Sequence, residues 1–165
     1  MYGIFQDWSA NKGNLKGRLV MLAFRIAHIA TKGRLWKFLL IPYLIWYRIT
    51  IEWFLGIELQ FQVKAGPGLK LWHGQGTVVH HSTKIGSNCT IRQNTTFGNK
   101  KDINGIKSAG ANIGSNVDIG ANVCIIGSVV IGDDSVIGAG SVVTKSFDAG
   151  SIIVGNPAKL LKSKY

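Results

Sequence analysis

The chain has 165 residues, 46% of them hydrophobic, with 21 glycines, three prolines and two cysteines. That apolar content builds a core and excludes disorder, the scarcity of proline excludes collagen-like and linker sequence, and the length suits one domain with a helical annex. Nineteen Lys and Arg against eight Asp and Glu give a net charge of +11, which favours anionic partners.

The surplus is spread along the chain: residues 1–56 hold eight basic and two acidic side chains. No Lys/Arg run interleaved with aromatics occurs in the C-terminal two-thirds, so nucleic acid is not an expected partner. Cys89 and Cys124 form no CxxC pair, and no secretory leader pattern opens the chain. Both features point to a cytoplasmic protein whose thiols are small fillers.

From Leu15 the apolar positions Leu19, Leu22, Ile26 and Ile29 return every three or four residues, with Arg18 and Arg25 falling elsewhere. This predicts an amphipathic helix stopped near Gly33. A second apolar stretch, FLLIPYLIWY from Phe38 to Tyr47, is broken by Pro42 and flanked by Lys37 and Arg48. It is too short to span a bilayer. Its Trp, Tyr and basic flanks suit peripheral contact with an anionic membrane at the inner face of the cytoplasmic membrane, while packing on the protein or on a partner subunit is the better-supported reading. Residues 1–56 are read as an N-terminal helical region.

From about Leu59 a six-residue period takes over. Val79, Ile85, Ile91 and Phe97 follow it, then Ile113, Ile119, Ile125, Ile131, Ile137 and Val143, with Gly commonly next to the aliphatic. Repetition at this period means a solenoid. Each hexad is one short strand and a corner; the aliphatic points inward, and Gly or Asn at the corner tolerates positive φ. Three hexads close a triangular coil, and stacked coils bury an aliphatic column. The predicted fold is mainly β, a left-handed parallel β-helix over residues 57–165.

Two departures stand out. Phe97 and Ile113 are sixteen residues apart where twelve would keep phase, so NKKDINGIKSAG is expected to leave the coil as an excursion loop over about 99–110. Leu71 and Thr77 keep the six-step, and Val79 then needs two extra residues.

GLKLWHGQG (68–76), the IG hexads, the IGAGSVVTK block and the ending VGNPAK together resemble hexapeptide-repeat acyltransferases. The AFRIAH helix ahead of a β-helix whose first coils hold a histidine is similar to the serine acetyltransferase branch. YRITIEWFLGIELQ resembles the acetyltransferases of colanic acid and other exopolysaccharide biosynthesis. The resemblance implies transfer of acetyl from acetyl-CoA to a hydroxyl without an acyl-enzyme, in a homotrimer, with no metal.

An alcohol is a poor nucleophile at neutral pH, so a base must take its proton, and histidine titrates in the right range. His73 matches the family's catalytic histidine, and the family's orienting carboxylate, fifteen residues upstream, falls on Glu58. For acetyl-CoA the resemblance implies Asn99, Ala121, Ala139, Thr144, Lys145 and Lys159, the small residues admitting the pantetheine arm and the lysines suiting phosphates. Repeat grammar alone also accounts for Ala121 and Ala139.

Serine acetyltransferases carry an aspartate just before the histidine and an Arg-His pair in the excursion loop; here those places hold Trp72 and Ala109-Gly110. Without these clamps serine is not the expected acceptor. An indole beside the base offers a face for a sugar ring, and Arg92 an anchor for an acidic sugar or phosphate; packing and ordinary solvation are their plainer readings. The expected function is O-acetylation of a free or lipid-linked saccharide in exopolysaccharide or capsule biosynthesis. Serine O-acetylation, a noncatalytic β-helix trimer and a metal enzyme remain alternatives. The last needs converging histidines, whereas His80 and His81 are adjacent strand residues expected to face opposite ways. His28 is read as structural.

Overall fold

A strand of two or three residues cannot bury its one aliphatic side chain alone, so the hexads must stack. In the computed structural model, which describes residues 3–101, 105, 106 and 108–165, they do. Strands β1 Glu58–Leu59, β2 Lys64–Ala65 and β3 Lys70–Trp72 form the first coil. The second holds β4 Val78–Val79, β5 Lys84–Ile85 and β6 Thr90–Arg92; the third, β7 Thr96–Gly98, β8 Asn112–Ile113 and β9 Asp118–Ile119. The fourth holds β10 Cys124–Ile126, β11 Val130–Ile131 and β12 Val136–Ile137. In the fifth, β13 Val142–Val143 and β14 Ser151–Val154 flank a bridge from Phe147 to Ile131, and β15 Lys159–Ser163 returns antiparallel on β14.

Every third strand pairs in parallel, giving three faces: β1-β4-β7-β10-β13, then β2-β5-β8-β11, then β3-β6-β9-β12-β14. This is the left-handed β-helix that the hexads predict. All ten aliphatic and aromatic residues of the period, Val79 to Val143, are at most 4% exposed. At the corners Asn88, Asn94, Asn116, Asn122 and Asp134 hold φ between 57 and 59°. Their side chains are laddered: Asn116 Nδ2 donates to Asp134 Oδ1 at 3.1 Å and Asn94 Nδ2 to Asn122 Oδ1 at 3.1 Å. Burial raises the Cys89 thiol pKa, as suits an inert filler, while Cys124 is partly exposed.

The pairing corrects two counts. Phe97 lies on the first face and Ile113 on the second, so six residues keep phase, not twelve, and the excursion is longer than the sequence count implies. Its base is tied by Ser108 N–H to Lys100 O at 2.7 Å; residues 102–104 and 107 of the predicted loop lie outside the described residues. The other irregularity falls between Leu71 and Thr77, not after Thr77. Both are buried, and six steps separate them where equivalent pairs, such as Ile91 and Thr95, are four apart. The two additional residues enlarge the corner that holds His73.

Ahead of the coils lie α1 Leu15–His28, a 3-10 turn Ile29–Lys32, α2 Arg34–Leu39, α3 Ile41–Tyr47 with Pro42 in its first turn, and a π-helix Arg48–Phe54. The face of α1 that packs inward carries Val20, Met21, Phe24 and Ala27, continuous with the solenoid core. The predicted stripe is therefore not the buried one, since Leu15 and Leu19 remain exposed. Arg25, read as lying off the apolar stripe, is buried.

Arg25 belongs to a polar cap over the first coil, whose upper backbone groups have no preceding coil to pair with. Its Nε meets Asp7 Oδ2 at 2.7 Å, and its terminal nitrogens donate to Ala65 O and Gly66 O, both at 2.7 Å. Asp7 Oδ1 accepts from Leu69 N–H at 2.9 Å, and Asn11 both accepts from Leu71 N–H and donates to Leu69 O. Asn14 Nδ2 reaches Leu71 O at 2.7 Å and Tyr47 Oη reaches Leu59 O at 2.7 Å. Thus side chains replace a missing coil. His28, with Nδ1 2.7 Å from Phe61 O, joins this cap.

Candidate active site

The solenoid turns its third face into its first through one edge, where Asn94 N–H bonds Gln75 O at 2.8 Å, Asn122 N–H bonds Gln93 O at 3.0 Å and Gly140 N–H bonds Ala121 O at 2.9 Å. Gln75, Gln93, Ala121 and Ala139 are thus equivalent positions of successive coils, spanning about 14 Å at the usual strand spacing. Gly120 shows why this edge carries small residues: a Cβ there would lie 2.5 Å from Ala139 N. His73 stands at the N-terminal end of the same edge, inside the two-residue enlargement.

His73 is exposed and adopts φ 67°, a left-handed conformation that non-glycine residues take only where surroundings impose it. Gly74 follows at φ 73°, and a Cβ on it would meet Leu71 at 3.0 Å and Ile57 Cδ1 at 3.2 Å. Backbone conformation and space both demand glycine. Replacing Gly74 with alanine is expected to cost about 1–3 kcal/mol and to displace His73, lowering activity more than stability; a melting curve and a rate assay on one preparation check it.

Trp72 is half-buried, its ring edge-on to His73 at 5.8 Å, and Lys70 Nζ lies 4.3 Å over the indole. Lys70 escaped sequence reading because it is an ordinary outward strand residue; only the β3 geometry puts its cation on Trp72. Arg92 pairs with Trp72 in register, bonds Asp118 and donates to Ile119 O at 3.0 Å. Its guanidinium is therefore held by the protein. Gln93, also missed, has a buried Oε1 without a partner among the described residues.

Glu58 begins β1, close to this corner: Gly76 N–H bonds Gly56 O at 2.8 Å, and Glu58 N–H bonds Thr77 O at 2.8 Å. No hydrogen bond or ion pair joins Glu58 to His73 among the described residues. The Glu58 carboxylate instead borders a groove of about 420 Å³ with Arg48, Glu52, Trp53, Gln60 and Gln62, a groove that does not include His73. Within it, burial and the Glu58 charge raise the Glu52 pKa, against the lowering effect of Arg48.

The residues expected to hold coenzyme A divide between edges. Ala121 and Ala139 lie on the His73 edge; Asn99, Thr144 and Lys145 follow β7 and β13, on the edge between first and second faces, and Lys159 opens β15. One protomer does not gather them into one groove. His80 and His81 also lie on that second edge, with rings 4.1 Å apart rather than on opposite sides, because they stand at a corner and not in a strand. Among the described residues, no three His, Cys, Asp or Glu side chains come together as a metal site.

The coils form a triangular solenoid of hexads with an exposed histidine on a small-residue edge. The family model "Bacterial transferase hexapeptide (six repeats)" matches residues 110–145. Over 104 residues the chain is 34% identical to WcaB of Escherichia coli K12, provisionally named a colanic acid biosynthesis acetyltransferase, covering 59% of this chain and 62% of that one. It is 32% identical to serine acetyltransferase 4 of Arabidopsis thaliana, over 90% of this chain and 40% of the relative. Soybean serine acetyltransferase superposes with a TM-score of 0.79 at 29% identity, over 94% of this chain and 66% of that chain. The chain is thus similar to hexapeptide-repeat transferases over these matched residues, and the match to WcaB spans about 62% of that relative's length.

Proposed function

We propose that the protein is an O-acetyltransferase that moves acetyl from acetyl-CoA to a saccharide hydroxyl in exopolysaccharide or capsule biosynthesis. The observation that carries this reading is His73, held exposed in a left-handed two-residue enlargement at the head of a small-residue edge, with Trp72 beside it. A histidine packed for stability alone would not be kept outward in that conformation.

In the proposed step an imidazole nitrogen of His73 takes the acceptor's hydroxyl proton while the oxygen attacks the thioester carbonyl carbon. The carbon–sulfur bond then breaks, and the leaving thiolate takes the proton from the imidazolium. Glu58, as positioning residue, orients the ring in the ternary complex, as a triad acid does. The pantetheine arm lies along Ala121 and Ala139. Asn99, Thr144 and Lys145 reach it from a neighbouring copy, because they occupy a different edge of the solenoid. This division supports a homotrimer with one donor groove between each pair of copies, Lys145 and Lys159 meeting the coenzyme's phosphates. The ring of Trp72 stacks on the sugar.

Serine as acceptor is the second reading, favoured by the structural likeness to serine acetyltransferases over most of the chain. Trp72 and Ala109-Gly110, where those enzymes carry charged clamps, favour the saccharide. A thiol-release screen with acetyl-CoA against sugars, lipid-linked oligosaccharides and serine separates them. A saccharide-dependent signal is expected; a serine signal that exceeds every saccharide's would displace the proposal.

A further inference from the structure

We infer that residues 34–54, with the outward side of α1, form a docking surface for an anionic lipid bilayer. Helix α2 buries none of its residues. Phe38, Trp53 and Phe54 are 71, 70 and 86% exposed, and Leu35, Leu39 and Ile45 are each more than half exposed. Beside them runs a groove of about 730 Å³ lined by Leu19, Leu22 and Ile26 of α1, Trp46 of α3, and Phe54. These α1 residues are the stripe that the solenoid leaves unused. An apolar surface this continuous marks an interaction site.

The charges around it name the partner. Of the two acids in residues 1–56, Asp7 is buried against Arg25, and Glu52 lies 3.6 Å from Arg48. Lys32, Arg34 and Lys37 are exposed, with no carboxylate partner among the described residues. Exposed Trp36 lies between Arg34 and Lys37 in α2, and Trp46 and Trp53 are exposed on α3 and the π-helix that follow. Cations bordering tryptophans and aliphatics are complementary to a bilayer interface with acidic headgroups. A second copy meeting this face isologously would set Arg34 and Lys37 near like charges with no free acid in residues 1–56 to answer them; the exposed Glu58 borders the adjoining groove beside Arg48. Since no described helix is long and apolar enough to cross a membrane, the segment lies in the interface plane.

The π-helix leads into Gly56, which hydrogen-bonds Gly76 in the His73 corner, so docking brings that corner towards the headgroups. Resting on the transferase reading, this favours a lipid-linked acceptor over a free sugar. Docking itself does not depend on that reading.

Flotation of the full chain with phosphatidylethanolamine–phosphatidylglycerol vesicles and with phosphatidylcholine vesicles tests the inference, alongside Arg34→Glu/Lys37→Glu and Phe38→Ser/Phe54→Ser. The protein is expected to float with the anionic vesicles, to be released by high salt, and to bind at least about thirtyfold more weakly in the charge variant. The apolar variant, altered only at exposed positions, should weaken binding too, with mass and melting temperature unchanged. Thiol release with a water-soluble saccharide should stay unaltered in both variants, so failure of docking and failure of the transferase reading are told apart. Equal flotation of all proteins on both vesicle types would overturn the inference. So would a wild type that ignores vesicles and forms a larger assembly that Phe38→Ser/Phe54→Ser splits, since a second copy would then cover the face.

Discussion

Exchanging His73 for asparagine is expected to lower kcat for acetyl transfer by about 10²- to 10⁴-fold while leaving the acetyl-CoA KM and the melting temperature nearly unchanged. The choice of asparagine follows from the backbone. His73 sits at φ 67°, and alanine there would add strain to the loss of the base. Asparagine already fills four corners of this solenoid at φ 57 or 58°, so the fold accepts it. A rate loss in His73→Asn thus reports on chemistry alone. If Glu58 orients the imidazole, Glu58→Gln should lower kcat without moving the acetyl-CoA KM, and Glu58→Asp should recover part of it. A purely structural Glu58 would instead show its effect in the melting temperature.

Replacing Asp7 with alanine is expected to cost about 3–5 kcal/mol, because it strands a buried guanidinium. For a chain of this size that is a drop in melting temperature of about 6–20 °C, measured at fixed protein concentration. Arg25 is the hub: it bonds both Asp7 oxygens and two carbonyls of the first coil, while Asp7 also receives Leu69 N–H. Arg25→Lys keeps the charge but cannot reproduce the forked contacts, so it should be destabilising as well. In Asp7→Leu/Arg25→Met the loss should be smaller than the sum of the two single losses, since neither charge is left unpaired. Some loss should persist, because Ala65 O, Gly66 O and Leu69 N–H lose their partners.

The solenoid was legible because its signal is local and repeated. An aliphatic every sixth residue has one geometric solution, and Ile85, Ile119 and Ile137 are buried as that solution requires. Asparagines in the corners carried the turn chemistry as well. What the period could not convey was phase across an interruption. Sixteen residues between Phe97 and Ile113 fit no multiple of six, and only strand pairing assigns six to the coil. Helix α1 misled for another reason: it is apolar on two sides, so its pattern marked a stripe without saying what the stripe faces. Arg25 looked like a surface residue because its partner lies eighteen residues earlier. A trace did exist, since Asp7, Asn11 and Asn14 recur at four- and three-residue steps, the spacing that aligns them over the coil edge. His73 was identified from its motif, but the enlarged left-handed corner that exposes it was not, because two additional residues among glycines look the same on either side of Thr77. The offset of fifteen from Glu58 is a distance along the chain; in space the Glu58 backbone bonds Thr77 beside the His73 corner, while its side chain borders a groove that does not include His73.

The destination of the acetyl group separates a saccharide O-acetyltransferase from a serine O-acetyltransferase most directly. Isotope-labelled acetyl-CoA, incubated with the full chain and equal concentrations of lipid-linked saccharide and serine, followed by mass spectrometry of both acceptors and of the protein, reads this in one measurement. The expected result is label in an ester on a saccharide oxygen, none on the protein, and loss of transfer in His73→Asn. Label chiefly on serine, or saccharide labelling that survives His73→Asn, would contradict it.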